Sequence, residues 1–135
     1  MIADKMIAER WQVVALQLPF RRQAKDAVDG VSVINILEFL GFDGLSDSDR
    51  DLFAKFVSRV SVVDLVSGNG ALMAAIADLR KRKGVKFPDA IVVASAALHR
   101  ATLLTNDAQL LKLAADEPGY PAVPFWQLAQ RLASV

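Results

Sequence analysis

Apolar positions recur along this chain in two rhythms, one helical and one extended. Ile7, Trp11, Val14 and Leu18 stand at spacings of 4, 3 and 4, which gathers them on one helix face. They predict a helix over about residues 5–18, ended by Pro19. The polar stretch 21–30 reads as a connection or a short second helix. Residues 31–34 read as a short buried strand, and residues 35–40 as a helix stopped by Gly41. Ser46 and Asp49 have the spacing of a capping box. The stripe Leu52, Phe53, Phe56, Val57 and Val60 then predicts a helix over about 47–58. Aliphatic and β-branched residues at 61–66 predict a strand, broken by Gly68-Asn69-Gly70. The next helix turns Leu72, Ala75, Ile76 and Leu79 inward and finishes in Arg80-Lys81-Arg82-Lys83-Gly84, cations that suit a helix C-terminus. Pro88 and Asp89 open a helix over 90–100 whose small, apolar interior predicts burial. A strand at 101–105, a short helix to about 114, a strand at 123–125 and a terminal helix at 126–133 complete the pattern.

Strands alternating with helices imply an α/β protein with a central parallel sheet covered on both faces, a three-layer α/β/α domain. The chain has 135 residues, the size of one domain, so residues 1–135 are read as a single unit. In such sheets the ligand site lies beyond the carboxyl ends of the strands.

Composition narrows the chemistry available there. Hydrophobic residues make up 53 % of the chain and mean hydropathy is +0.30, enough for a core and for apolar surface that self-association or a partner would cover. With no cysteine there is no disulfide framework, thiolate nucleophile or Cys-based zinc site. The one histidine, His99, excludes a multi-histidine metal site and reads as a packing or capping residue near a helix end. No apolar run reaches the roughly 18 residues of a membrane span, and the first residues lack the apolar core of a signal peptide, so the expected location is cytoplasmic. The formal net charge is +1, so a polyanionic partner would have to be recognised by local charge.

Carboxylates and hydroxyls remain. Glu38, Asp89 and Asp107 fall at the predicted carboxyl edge of the sheet. Taken singly, Glu38 reads as an exposed helix residue, and Asp89 and Asp107 as helix caps or turn residues. Crowded at one edge, they repel one another unless a cation neutralises them. A hard divalent ion such as Mg²⁺ or Mn²⁺ suits an all-oxygen donor set. The corresponding chemistry is metal-assisted phosphodiester hydrolysis. Thr105 is placed to support the acids, whereas Ser95 reads as a core residue.

Two segments carry a family resemblance. Phe87-Pro88-Asp89-Ala90-Ile91-Val92-Val93-Ala94-Ser95-Ala96-Ala97, followed by Ala101-Thr102-Leu103-Leu104-Thr105-Asn106-Asp107, resembles the "DAxxxAxA … TLxTxD" pattern of PIN-domain nucleases, in particular the VapC-type toxins of bacterial toxin–antitoxin pairs. Ser32-Val33-Ile34-Asn35-Ile36-Leu37-Glu38 is similar to their "SxxTxxE" segment, with Asn35 in place of threonine. Leu40-Gly41-Phe42-Asp43-Gly44-Leu45 and Ser46 resemble the "LxFPGLT" of one subgroup. The resemblance covers about residues 31–113. It implies an α/β/α fold, clustered acids that bind Mg²⁺ or Mn²⁺, and endoribonuclease activity leaving 5′-phosphate and 3′-hydroxyl ends. It also implies a cognate antitoxin protein as partner and a homodimer.

By the same resemblance, Glu38, Asp89 and Asp107 fall on three of the family's catalytic, metal-binding acids, and Asp4 on the fourth. Asp4 lies 34 positions before Glu38, a spacing typical of the family, but Lys5 and Met6 stand where a hydroxyl and an amide are usual. A rival reading follows from that pair: a catalytically degenerate PIN-like module that binds RNA or protein. A third reading leaves the acids purely structural. Arg80, Lys81, Arg82, Lys83 and Lys86 put five cations within seven positions. They read either as RNA-phosphate contacts or as a solvated helix end, with Arg21, Arg22 and Lys25 as a smaller cluster.

Overall fold

A computed structural model describes residues 14–17, 28–125 and 127. Five strands form one sheet: β1 (Ala15–Gln17), β2 (Gly30–Ser32), β3 (Ser61–Val63), β4 (Thr102–Leu104) and β5 (Ala122–Val123), in the order β3-β2-β1-β4-β5. The five helices among the described residues are α1 (Val33–Leu40), α2 (Asp47–Arg59), α3 (Gly70–Lys83), α4 (Phe87–Leu98) and α5 (Ala108–Asp116).

Side chains on a strand alternate between faces, and here the alternation builds two cores. Leu16, Val63 and Leu103 join Leu72, Ile76 and Leu79 of α3, the small residues of α4, and Leu110 and Leu113 of α5. Their neighbours Ala15, Val31 and Leu104 point the other way, onto Phe39 of α1, Phe53 and Phe56 of α2, and Phe125. The result is the three-layer α/β/α arrangement that the pattern predicts. On the second face Phe39 and Phe53 stack with centroids 3.8 Å apart, and Phe56 lies 5.8 Å from Phe53. Burial of each such ring is worth about 1.5–3 kcal/mol.

Local signals set the helix ends. Ser46 and Asp49 form the reciprocal capping box of α2, and Asn69 accepts from the Leu72 amide to cap α3. Gly84 ends α3 in the left-handed region at φ 65°, where a side chain would be strained. Pro88 occupies the first turn of α4, where its missing N–H costs nothing. That helix therefore begins at Phe87 and stops at Leu98, slightly earlier at both ends than the apolar pattern suggests.

Two expectations are corrected. The helix predicted over 5–18 does not run to its end, because residues 15–17 are β1. Ala15 and Leu16 serve opposite cores, which one helix face cannot do. The sheet is mixed rather than purely parallel: β1 pairs antiparallel with both β2 and β4, through Leu16↔Gly30 and Leu16↔Leu103. β2–β3 and β4–β5 are parallel, so four strands still share one carboxyl edge. β2 starts at Gly30 and yields to α1 at Val33, since the Ser32 hydroxyl accepts from the Ile34 amide and caps the helix there. The remainder of the first predicted helix, Asp4, Lys5, Met6, Trp11, the cluster Arg21, Arg22 and Lys25, and all of the predicted terminal helix but Gln127 lie outside the described residues. No helix among the described residues is long and apolar enough to cross a membrane.

Candidate active site

The carboxyl ends of β2 and β4 lead directly into the segments that carry the acids. From β2 the chain turns at Ser32 into α1, whose first turn holds Asn35 and whose second holds Glu38. From β4 it passes Thr105 and Asn106 to Asp107, the N-cap of α5. Asp89 arrives from a third direction, in the first turn of α4. Ala15 pairs with Leu104, so β1 begins at this same edge.

Glu38 is exposed, Asp89 partly buried and Asp107 exposed. Electrostatically they form a row with Asp89 in the middle. Although Glu38 as a whole is exposed, partial burial of its carboxyl raises it above the usual range, the Asn35 amide pulls it back, and the charge of Asp89 raises it further. Burial also raises Asp89, the charge of Asp107 adds to it, and the Lys86 ammonium opposes both. Each flanking acid thus lies within electrostatic reach of Asp89. Among the described residues, no three Asp, Glu, His or Cys side chains converge on one point that could hold an ion.

The supporting polar groups are built in. Asn35 is only 4 % exposed. Its Nδ2 donates to Glu38 Oε1 at 3.3 Å, and its Oδ1 is buried with no hydrogen-bond partner, an orphan acceptor next to a carboxylate. Thr105 is buried, and its Oγ1 accepts from the Asp107 amide at 3.0 Å. Asp107 Oδ1 accepts from the amides of Gln109 and Leu110 at 2.8 and 3.2 Å, so the capping reading of this residue is realised in full. Sequence reasoning did not single out the burial of Asn35; its replacement of threonine was the available signal. Ser95 is buried in the core of α4, as expected, and His99 ends that helix.

The donor chemistry suits a hard cation. The set is oxygen only, its members repel one another, and Asn35 Oδ1 is an unused acceptor beside Glu38. Mg²⁺ commonly keeps several waters and takes one or two protein carboxylates, a demand that a row of acids meets.

The basic run divides. Arg82 is tied to Asp78, with contacts of 3.0–3.3 Å, and to Glu117; Lys83 Nζ also lies 3.4 Å from Glu117. These pairs hold the Asp78 and Glu117 carboxyls below the usual range. Arg80 turns away and lies over the Phe87 ring, 3.6 Å from its centroid. Lys86 joins Asp89, Lys83, Lys112 and Gln109 around an open groove of about 320 Å³. Lys112 had no signal in its own neighbourhood, because α5 brings it to the groove only in the folded chain.

Comparison with family models gives a match to the PIN domain over residues 13–116. Comparison with curated proteins gives no significant match. Asp4 lies ahead of the matched segment.

Proposed function

The chain belongs to the PIN-domain family, whose members are generally nucleases, and from that premise we propose that it is a divalent-metal-dependent endoribonuclease of the VapC type, restrained by a cognate antitoxin and working as a homodimer. The observation that carries this reading is the row Glu38–Asp89–Asp107 at the carboxyl edge, with Asp89 electrostatically coupled to both neighbours.

Glu38, Asp89 and Asp107, with Asp4 as the fourth acid, would hold Mg²⁺ or Mn²⁺. A bound ion of this kind lowers the pKa of its water and stabilises charge on a phosphodiester oxygen. The protein's own residues supply orientation and charge. Asn35 holds one Glu38 oxygen, and Thr105 fixes the backbone at Asp107, leaving Asp107 Oδ2 outside the cap. Lys86 and Lys112 line the groove that Asp89 borders, where an RNA phosphate would find compensating charge. Thr105 acts here through Asp107, as a positioning residue. Of the five cations in the basic run, Lys86 and Arg80 best fit RNA contact, since Arg82 and Lys83 have carboxylate partners.

The test is RNA hydrolysis with Mg²⁺ or Mn²⁺, with product ends identified. Cleavage leaving 5′-phosphate and 3′-hydroxyl ends, abolished in a folded Asp89→Asn variant, is the expected result. Ends carrying a 2′,3′-cyclic phosphate would overturn the mechanism, because they require attack by the ribose hydroxyl. The degenerate, non-hydrolytic module is favoured by the Lys5-Met6 pair. RNA binding without hydrolysis under either metal would select it.

A further inference from the structure

A second feature lies at the start of α4, the helix that carries Asp89. Phe87 opens α4, two residues before Asp89, yet its ring is 55 % exposed. Leu37, Phe42 and Val66 are comparably exposed, so Phe87 is distinguished by what lies beside it. The Arg80 guanidinium covers part of it, at 3.6 Å from the ring centroid. Together they border an open cavity of about 440 Å³ whose remaining walls are Met73, Ile76, Ala77 and Lys81.

The floor of this cavity is apolar and its rim is cationic, with no acidic residue among the lining side chains. A second copy of the chain is a poor occupant. A two-fold interface must be self-complementary, and this lining supplies no acid to answer Arg80 and Lys81. A flat, apolar group carrying negative charge is the complementary ligand. Nucleotides fit that description: their bases stack on aromatic rings and on arginine planes, while the attached phosphates meet the cations. Stacking requires the base to be free of its own helix, which selects single-stranded over duplex RNA.

We infer that Phe87 and Arg80 form a stacking platform for an unpaired nucleobase of a single-stranded RNA, at the start of the helix that carries Asp89. The inference rests on the ribonuclease reading for its biological use but not for its test. A strand seated there would cross the turn at 84–86 to reach Lys86 and the groove bordered by Asp89, so the platform would fix which nucleotide lies opposite the acids. Arg80 thus contributes a plane as well as a charge, and lysine could replace only the charge.

The experiment is equilibrium binding of a short, labelled single-stranded oligoribonucleotide, with chelator present so that nothing is cleaved. Phe87→Ala, whose fold is checked by circular dichroism, should bind about tenfold more weakly, within the range for loss of one base stack. Its salt dependence should be unchanged, because no phosphate contact is lost. Phe87→Tyr should bind like wild type. With an oligomer of the same length lacking bases, wild type and Phe87→Ala should bind alike. Equal binding of the base-containing RNA by wild type and Phe87→Ala overturns the inference, as does an equal loss on the baseless oligomer or no measurable wild-type binding. A change in self-association with RNA affinity unaltered would assign the face to a protein contact instead. Wild-type binding without hydrolysis under any metal would leave the platform standing and remove the ribonuclease reading. Hydrolysis with unchanged Phe87→Ala affinity would do the reverse.

Discussion

Asp107 carries two duties that substitution can separate. Its Oδ1 accepts from two backbone amides at the start of α5, and its charge acts on Asp89. Asparagine caps a helix about as well as aspartate, whereas alanine forfeits about 1 kcal/mol, within a range of roughly 0.5–2. Asp107→Ala should therefore lower the unfolding free energy by about 1 kcal/mol, and Asp107→Asn should not. Near neutrality Asp107→Asn should equal or exceed wild type, because it removes one of the two causes that raise the Asp89 carboxyl. Urea denaturation followed by far-ultraviolet circular dichroism measures both. Each variant should also lose RNA hydrolysis, so that Asp107→Asn is stable and inactive. Equal stability of the alanine and asparagine variants would refute the capping argument. Wild-type cleavage by Asp107→Asn would reduce the residue to its structural duty.

Two further outcomes follow from burial. Phe56 is fully buried against Phe53, so Phe56→Ala should cost about 3–5 kcal/mol, a large share of the about 5–15 kcal/mol that holds a typical domain together; loss of the folded baseline in denaturant unfolding would register it. The Asp89 carboxyl is raised by burial and by Asp107, so the folded state binds its proton more tightly than the unfolded state. The stability it contributes is fully present below the unfolded carboxyl value and is lost as pH rises through the higher folded one. Wild type should accordingly lose stability relative to Asp89→Asn between mild acid and neutrality, and parallel pH profiles of the two proteins would contradict the assignment.

What could be read from the chain tracks how local the signal is. The capping box at Ser46 and Asp49, the glycine after α3 and the proline in α4 act within a few residues, and each marks an element where the sequence pattern put it. β1 was concealed because the apolar positions around it also satisfy a helical spacing; pairing with Gly30 and with Leu103, far along the chain, decides for a strand. The acids at the carboxyl edge followed from the alternation of elements and from short motifs. The fate of the basic run did not, since Arg82 is neutralised by Glu117, 35 positions away. The exposure of Phe87 was equally hidden, because an apolar residue at a helix start gives no sign of which way it faces. The missing threonine at Asn35 was visible, but its orphaned acceptor emerges only from the packing around it.

The place of β1 bears on how the chain is assembled. In the described sheet it is the one strand that joins β2 to β4, so three residues splice a half made soon after them to one made much later. A nascent chain that has emerged only as far as α3 can set β1 against β2 but has nothing to offer its opposite side. Until β4 is synthesised, that side is an open strand edge of the kind that recruits foreign strands. The pairing of Leu16 with Leu103 spans most of the chain and is slow to close for that reason, which makes the interval before it the period when a newly made molecule is most exposed to aggregation.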